Sequence, residues 1–415
     1  MTPEIKHRIG QIRRGEMPER YVKTALGLAP TDWKRYTFGD IYTERKEPGD
    51  ENLPLLMVSI HSGVSDGEVD AAELPKQVKR IEDKSQYKKA VSGDLVFNMM
   101  RAWQGAIGTV RTTGMVSPAY IVAEPNDKAY PLFMDYYSRT PQMINQLDRQ
   151  SYGVTDFRKR LYWDSFAPIG CILPPIEEQQ KIATILTTQD KVIKLKEKRL
   201  AEKQRQKKYL MQQLLTGKKR LPGFNGAWKT DCLGKLFFER KETNCENIEM
   251  LAITGTQGII PRKELDLKDN SSEDKSKYLR VCVGDIGYNT MRMWQGVSAY
   301  SNYGGIVSPA YTILKPSSSI NAKYFAYLFK MSEIVFLFYR FSQGLVDDTR
   351  NLKYENFKKI KVCYPPDMKE QTAIAEVLSA ADHEIDLLQQ DIEQEKQKKK
   401  ALMQLLLTGI VRVKT

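Results

Sequence analysis

The chain has 415 residues, of which 41% are hydrophobic and 10% aromatic, and this composition is typical of globular domains rather than of disordered chains. Its formal net charge of +13 favours an anionic partner, and because no run of about 18 apolar residues could cross a membrane, nucleic acid fits that charge best. Five cysteines without a CxxC pair, three dispersed histidines and a charged first segment without an apolar signal region argue against a disulfide framework and a zinc site, and they predict a cytoplasmic protein without a metal.

Residues 1–30 predict a helical extension in front of the first domain. The segment Ile12–Arg20 followed by Trp33 is loosely similar to Leu214–Phe224 followed by Trp228. A repeat that is arranged in a circle would begin with the tail of its own helix module. We therefore expect the start of the chain to be related to the tail of the central helix.

Residues 31–173 predict a mixed α/β domain. Leu53–Ile60 and Tyr120–Glu124 are short apolar runs bounded by turn-forming residues, which favours strands. The apolar pattern of residues 131–146 favours a helix instead. These elements alternate over a length that can bury an ordinary core.

Residues 174–217 predict one long helix. It follows Pro174-Pro175 and ends at Thr216-Gly217, which are typical start and stop signals. Its apolar side chains recur at alternating intervals of four and three residues, the a/d pattern of a coiled coil. The predicted seam comprises Ile182, Leu186, Gln189, Ile193, Leu200, Leu210 and Leu214.

Residues 218–364 predict a second α/β domain, with a strand at Ala310–Pro316 and a helix over residues 322–341. Residues 365–415 predict a second long helix, which again follows a Pro-Pro pair and ends at Thr-Gly. Roughly 40 residues at about 1.5 Å each give a rod of about 60 Å. The predicted seam comprises Ile374, Leu378, Ala381, Ile385, Leu388, Ile392, Leu402 and Leu406.

The two halves of the sequence repeat one another about 191 residues apart. NMMRAWQG at Asn98–Gly105 returns as NTMRMWQG at Asn289–Gly296, and SPAY at Ser117–Tyr120 returns at Ser308–Tyr311. So long a period indicates a duplicated domain-plus-helix module. The predicted fold is therefore α+β: two mixed α/β domains joined by two long helices that pair as an antiparallel coiled coil, in a pseudo-two-fold, circular repeat.

The sequence carries no pattern of a catalytic site. It has no Walker A loop and no GxGxxG after a strand. The Pro-Pro pairs are similar to those of amino-methyltransferases only superficially, because such sites need Asn or Asp before the prolines, whereas Leu173 and Tyr364 stand there. We therefore expect no enzyme activity in this chain.

The repeated tryptophan blocks hold the best candidates for nucleic-acid contact. Arginine can donate two hydrogen bonds to guanine or phosphate, and glutamine can pair in the same way with adenine. The alternative is a core turn in which Trp103 and Trp294 pack inside the domain. The candidate contact residues are Arg101, Gln104, Arg158, Arg292, Gln295 and Arg350.

A basic segment follows in the central helix, where residues 191–220 carry 12 lysines and arginines. These side chains form either a solvated helix face or a surface for the DNA backbone or a partner subunit. Contacts of the second kind would add affinity without sequence information.

Taken together, these residues resemble the specificity subunit of a type I restriction-modification enzyme. The resemblance rests on the markers that close each half: Pro174-Pro175-Ile176 with Glu178-Gln179, Pro365-Pro366 with Glu370-Gln371, the heptad helices and their LLTG ends. It covers nearly the whole chain, including the LPGF linker at Leu221–Phe224. The second copy departs slightly, with Asp367-Met368 where an apolar residue is common.

The resemblance implies that each domain is a target recognition domain that reads one half of a bipartite site in double-stranded DNA, and that the coiled coil sets the length of the unread spacer. It implies two partner modification subunits, which bind S-adenosylmethionine and methylate adenine, and restriction subunits that join through them and use ATP and Mg. No cofactor is expected in this chain.

Two points stay open at this stage. A coiled-coil scaffold that binds proteins without reading DNA is the alternative function, and salt-dependent retention on duplex DNA would separate the two. The loops His61–Glu73 and Gly255–Asp274 are the candidate base-reading segments, because they lie between the blocks that the halves share.

Overall fold

A computed structural model of the chain describes residues 3–50, 52–61, 63–65, 86–153, 155, 158–243, 245, 248–255, 258–265 and 274–413. Contacts between residues divide the chain into two units: residues 1–195 with 392–415 form unit 1, and residues 196–391 form unit 2. Each unit holds one α/β domain together with a part of each long helix. The division therefore runs through both helices, whereas the predicted boundaries set the helices apart from the domains.

Unit 1 opens with helix α1, Pro3–Arg13, and a hairpin of strands β1, Tyr21–Thr24, and β2, Gly27–Pro30. The predicted helical extension over residues 1–30 is thus corrected, because the helix ends at Arg13. Gly15 follows with a φ of 78°, a conformation that a continuing helix cannot contain. The rest of the segment is β structure.

The domain of unit 1 is built around an antiparallel sheet of four strands in the order β4-β11-β8-β9, against which helices α3 and α4 pack. Its elements lead into the first long helix, α6. The bounds are β3 Lys34–Thr37, α2 Phe38–Ile41, β4 Tyr42–Glu44, β5 Val58–Ser59, β6 Gly63–Val64, β7 Lys88–Ala90, β8 Leu95–Asn98, β9 Ile107–Thr109, β10 Gly114–Val116, β11 Tyr120–Pro125, α3 Pro131–Tyr137, α4 Pro141–Gln150, α5 Trp163–Phe166, β12 Gly170–Leu173 and α6 Ile176–Leu214.

The domain of unit 2 repeats this plan, with a four-stranded antiparallel sheet in the order β14-β21-β18-β19. Short 3-10 helices cover Ala102–Gln104 in unit 1, and Arg262–Glu264, Met293–Gln295 and Asp347–Thr349 in unit 2. The bounds in unit 2 are β13 Lys229–Cys232, α7 Leu233–Leu236, β14 Phe237–Glu239, β15 Leu251–Ile253, β16 Ile259–Pro261, β17 Leu279–Val281, β18 Ile286–Asn289, β19 Ser298–Tyr300, β20 Gly305–Val307, β21 Tyr311–Pro316, α8 Ala322–Leu328, α9 Ser332–Phe341, α10 Tyr354–Phe357, β22 Lys361–Tyr364 and α11 Met368–Leu406.

The structure confirms the duplicated fold and corrects three element predictions. The helices predicted over residues 131–146 and 322–341 are each two helices. In unit 1 the break falls before Pro141, where the Thr140 hydroxyl caps the new helix by accepting from the Met143 amide. The strand predicted at Leu53–Ile60 shrinks to β5, although Leu55 still bridges to Met115.

In unit 1 the start of α6 runs antiparallel to the end of α11. Ile182 and Leu186 share one buried core with Leu406, so early residues of one helix meet late residues of the other. Further along, the Gln189 amide donates to the Glu395 carboxylate at 2.6 Å. The seam therefore changes from apolar at its outer end to polar further in.

In unit 2 the rest of α6 pairs with the first part of α11 in the same antiparallel sense. Leu214 shares a buried core with Ile374 and Leu378. Lys196 pairs with Asp391 at 2.8 Å, and Lys203 pairs with Glu384 at 2.8 Å. Charged pairs within a coiled-coil seam weaken it but fix its register, because a shifted register would leave the charges unpaired.

The predicted seam residues lie on the inner faces of these helices. Ile182, Leu186, Ile193, Ile374, Leu378, Ile385 and Ile392 are buried, and Leu200 and Leu388 are half-buried. The same four-and-three spacing also places Lys196, Lys203 and Lys207 on the seam of α6. A search for apolar residues alone does not find these positions, because lysine occupies them.

The residues that follow the end of each long helix, here called its tail, bind the first turn of the other long helix. Arg412, beyond the end of α11, donates to the Glu178 carboxylate of α6 at 2.8 and 2.7 Å in unit 1. Arg220, beyond the end of α6, donates to the Glu370 carboxylate of α11 at 2.5 and 2.7 Å in unit 2. Both carboxylates are buried. This exchange of tails confirms the circular repeat.

A buried glutamine next to each of these carboxylates joins the helix to its own domain. Gln179 accepts from the Tyr130 amide at 2.8 Å and donates to the Lys128 carbonyl at 2.9 Å. Gln371 accepts from the Asn321 amide at 2.7 Å and donates to the Pro365 carbonyl at 2.9 Å. In each half the glutamate thus binds the tail of the other helix, and the glutamine binds the domain.

Candidate nucleic-acid interface

The two tryptophan blocks form the same turn in both units, and we call residues 98–105 and 289–296 the tryptophan turns. Each follows a strand of the main sheet, β8 or β18, and contains a 3-10 helix. The Trp103 indole donates to the Met100 carbonyl at 3.0 Å, and the Trp294 indole donates to the Met291 carbonyl at 2.9 Å. Each indole therefore stiffens its own turn.

A glycine ends each tryptophan turn, where both the backbone conformation and the available space favour it. Gly105 has a φ of 97° and Gly296 a φ of 78°, a region that side chains rarely adopt. A Cβ atom on Gly105 would lie 3.2 Å from Ile144 of α4, and one on Gly296 would lie 3.0 Å from Val335 of α9. The second helix of each pair thus packs directly under the turn and holds it in place.

The turns divide their residues between the core and the surface. Ala102 and Met293 are fully buried, so they are the residues that anchor the turns. Trp103 and Trp294 are only half-buried, which corrects the expectation that they would be packed inside. The candidate side chains Arg101, Gln104, Arg292 and Gln295 are all exposed. The buried residue of each turn therefore has the structural role, and the exposed arginine and glutamine remain the candidates for DNA contact.

A second feature, of which the sequence analysis identified only Arg158 and Arg350, lies beside each tryptophan turn. Residues 152–160 and 343–351, here called the hairpin loops, are closed by antiparallel bridges: Tyr152 with Arg160, and Gln343 with Asn351. The Leu161 amide donates to the Met99 carbonyl at 2.9 Å, and the Leu352 amide donates to the Thr290 carbonyl at 2.8 Å. Loop and turn thus form one surface in each unit.

A sequence signal for these loops was present but sparse. Ser151 and Gly153 recur as Ser342 and Gly344 at the same interval of 191 residues that relates the tryptophan turns. Of the seven residues that follow, only the third, Asp156 and Asp347, is the same in both halves, with VTDFRKR after the first glycine and LVDDTRN after the second. The described residues at the two bridges thus share a frame, while the loop sequences differ.

The equivalent cations of the two surfaces make the same two kinds of contact with different partners. In unit 1, Lys159 pairs with Asp148 at 2.7 Å and its ammonium lies 5.0 Å from the centre of the Trp103 ring. In unit 2 the matching cation is Arg350, whose guanidinium stacks 4.1 Å from the centre of the Tyr339 ring. Each cation therefore makes one ion pair, with Asp148 or Asp347, and one cation–π contact, with Trp103 or Tyr339.

The two remaining predicted candidates lie on the hairpin loops. Arg158 is exposed. Arg350 is held in place, because its guanidinium donates to Asp347 at 2.8 Å and to the Tyr339 hydroxyl at 2.9 Å, and the bond to Asp347 raises its pKa. The structure therefore brings two of the six candidates to the loops and four to the turns.

The hairpin loop of unit 2 also presents apolar side chains that sequence reasoning did not single out. Leu345 is 99% exposed and its neighbour Val346 is 58% exposed. Apolar side chains at such a position can contact the methyl group of thymine in the major groove. By contrast, most of the candidate loops His61–Glu73 and Gly255–Asp274 lies outside the described residues.

Within the described part of the chain, no helix is long and apolar enough to cross a membrane. The same residues contain no group of three or more His, Cys, Asp or Glu side chains that could hold a metal ion. The free cysteines include Cys171, where burial raises the pKa of the thiol to about 12. Such a thiol stays protonated and unreactive near neutral pH.

Comparisons with known proteins agree on one family. A family model described as type I restriction modification DNA specificity domain matches residues 70–205 and 234–397. A putative type I restriction enzyme specificity subunit of Methanocaldococcus jannaschii, MjaX, is 24% identical over 438 residues, which span 96% of this chain and 98% of that protein.

Solved structures show the same fold. The S subunit of a type I restriction-modification system from M. genitalium has a TM-score of 0.56 at 11% identity and covers 90% of this chain and 96% of its own. A chain from a structure of a type I R-M system, concerned with complex assembly and conformational transition, has a TM-score of 0.52 at 17% identity and covers 92% and 99%.

Proposed function

This chain belongs to the family of type I restriction-modification DNA specificity proteins, and on that premise we propose that each of its two domains reads one half of a bipartite site in double-stranded DNA. The observation that carries the proposal is the pair of surfaces formed by tryptophan turn and hairpin loop. Their frames are alike and their exposed side chains differ, which is what two readers of two different half-sites require.

The chemistry of these surfaces suits base edges and phosphates. Arg101 and Arg292 can each donate two hydrogen bonds to guanine or phosphate, and Gln104 and Gln295 can pair with adenine. Because a buried residue and a glycine fix each turn, the backbone at these four positions is already ordered before DNA binds. The net charge of +13 supplies attraction to DNA that carries no sequence information.

The paired helices are proposed to set the spacer between the half-sites. Each long helix has 39 residues, which at about 1.5 Å per residue gives nearly 60 Å. One turn of B-DNA advances by about 34 Å. Helices of this length are long enough to join readers of two major-groove segments that are separated by unread base pairs.

Catalysis is proposed to reside in partner subunits. Two modification subunits would bind S-adenosylmethionine and methylate adenine, and restriction subunits with ATP and Mg would join through them in the cytoplasm. This chain would direct those enzymes without performing a reaction itself. The exposed lysines of α6, such as Lys191, Lys194 and Lys198, are available to a DNA backbone or to a partner subunit.

The direct test is to map N6-methyladenine across a genome by single-molecule sequencing, in strains that carry a partner methyltransferase with and without this chain. A single bipartite motif should appear only when the chain is present. If methylation does not change, the proposed function is wrong. If the chain binds the methyltransferase but duplex DNA does not retain it in low salt, the protein-scaffold alternative gains support instead.

Replacement of the exposed arginines should weaken DNA reading one half-site at a time. Loss of one bidentate contact costs about 1–3 kcal/mol, or roughly 5- to 150-fold in affinity. We expect Arg101→Ala to relax or abolish methylation through one half-site and Arg292→Ala through the other. Binding to duplexes with single base changes, measured at fixed salt, gives the affected half-site.

A matched control separates contact from folding in this experiment. Arg35→Ala removes the same charge from an exposed position on strand β3, which belongs to another sheet, and should leave binding nearly unchanged. Arg101→Ala should change the stability of the protein by less than about 0.5 kcal/mol, as exposed substitutions usually do. Loss of soluble protein in Arg101→Ala would instead assign the arginine a structural role.

A further inference from the structure

A tyrosine, an aspartate and a lysine meet at the same place in both units. In unit 1 the Tyr136 hydroxyl of α3 donates to Asp190 of α6 at 2.6 Å. Lys399 of α11 pairs with the same carboxylate at 2.6 Å, and its ammonium lies 5.4 Å from the centre of the Tyr136 ring. One residue from the domain and one from each long helix thus converge on one point.

Unit 2 contains the same cluster with the roles of the helices exchanged. The Tyr327 hydroxyl of α8 donates to Asp382 of α11 at 2.7 Å. Lys207 of α6 pairs with Asp382, and its ammonium lies 5.6 Å from the centre of the Tyr327 ring. The repeat of all three residue types at equivalent positions indicates a common task rather than a chance surface contact.

Each cluster is a second attachment of a domain to its helix. The first attachment in unit 1 is the buried Gln179, and Asp190 lies 11 residues further along α6, which corresponds to about 16 Å. Apolar packing alone tolerates small rotations, because it has no directional preference. Two directional hydrogen bonds at separate points of one helix remove that freedom.

The protonation states of the cluster suit a permanent attachment. Burial raises the pKa of the Tyr136 and Tyr327 phenols, and their hydrogen bonds to the aspartates raise it further. Both phenols therefore remain donors at neutral pH. The lysines balance the aspartate charges and at the same time hold the second helix against the first.

We propose that Tyr136, Asp190 and Lys399 in unit 1, and Tyr327, Asp382 and Lys207 in unit 2, are positioning residues that fix the angle of each recognition domain on the helix pair and thereby make the spacer length strict. This role rests on the proposed function. A domain that can rotate on its helix would accept half-sites that are separated by one base pair more or fewer.

The test is the double variant Tyr136→Phe/Tyr327→Phe, which keeps both rings and removes only the donors. We expect unchanged half-sites, retained methylation at the native spacer, and about a tenfold rise in methylation of sites whose spacer is one base pair longer or shorter. Tyr209→Phe is the matched control, because Tyr209 lies exposed on α6. It should methylate only the native spacer.

A second double variant changes the aspartates of the same clusters instead of the tyrosines. Asp190→Asn/Asp382→Asn keeps the side-chain size, removes the charge that holds each lysine and should also relax the spacer. Wild-type spacer discrimination in both double variants would overturn the proposal. Loss of folded protein in both would overturn it as well, because it would assign the clusters to stability. Absence of any bipartite motif with the unaltered chain would instead refute the proposed function itself.

Discussion

Deletion of one heptad from both long helices is expected to shorten the spacer in the recognised DNA sequence and to leave both half-sites unchanged. The segments 197–203 of α6 and 384–390 of α11 face each other, because Lys203 pairs with Glu384. Their joint removal takes out a complete charged pair and keeps the pairs Lys196–Asp391 and Lys207–Asp382 on either side. Two helical turns are lost, so the seam continues on the same face.

The expected change follows from the helix rise. Seven residues correspond to about 10 Å, which is the length of about three base pairs. Genome-wide mapping of N6-methyladenine reads the new spacer directly. An unchanged spacer with a folded, active complex would contradict the role of the helices as a ruler.

A one-sided deletion is the matched control. Removal of residues 197–203 alone prevents the Lys196–Asp391 and Lys207–Asp382 pairs from forming together, since the two helices then differ in length between them. We expect this variant to lose stability rather than to acquire a new, defined spacer. The contrast between the two deletions separates a change of length from a loss of register.

Arg412→Ala is expected to destabilise unit 1 by about 3–5 kcal/mol, because it removes the positively charged partner of the buried Glu178 carboxylate, which then retains the Trp33 indole and the Val413 amide as donors. For a unit of this size the midpoint of thermal unfolding should fall by about 10 °C. Circular dichroism during heating or urea unfolding measures it.

Two further variants test the reason for this loss. In Arg412→Ala/Glu178→Gln the buried charge is absent, so part of the stability should return. Arg205→Ala removes an exposed arginine of α6 and should cost less than about 0.5 kcal/mol. Equal effects of Arg412→Ala and Arg205→Ala would show that the tail contact does not hold the unit together. Arg220→Ala should act on unit 2 as Arg412→Ala acts on unit 1, because Glu370 is also buried.

The long helices were predictable because their signals are local. The four-and-three spacing of Ile374, Leu378 and the residues that follow lies within the helix, and the Pro-Pro start and the Thr-Gly end lie within a few residues of its ends. The strand prediction at Leu53–Ile60 was wrong over most of its length, because strand formation depends on residues outside the segment. Whether an extended segment becomes a strand depends on a partner: Val58 and Ser59 pair with β6, whereas Leu55 makes an isolated bridge to Met115.

The candidate surfaces were predictable in part. The repeat pointed to Arg101 and Arg292, which are exposed, but it could not show that Ala102 and Met293 are the buried anchors. Arg158 and Arg350 were named as candidates, but the hairpin loops that carry them were not recognised, because few residues of these loops recur in both halves. Their position beside the turns results from backbone hydrogen bonds between residues some 60 positions apart, such as Leu161 and Met99.

The sequence by itself determined the duplicated architecture, the two coiled-coil helices and the family, because a repeat and a heptad pattern are properties of the order of residues. The tertiary structure alone decided which side chains share a surface or a charge. Arg412 with Glu178, and Tyr136 with Asp190 and Lys399, come from distant parts of the chain. Only folding brings such groups within hydrogen-bond distance, so no local sequence pattern could predict these contacts.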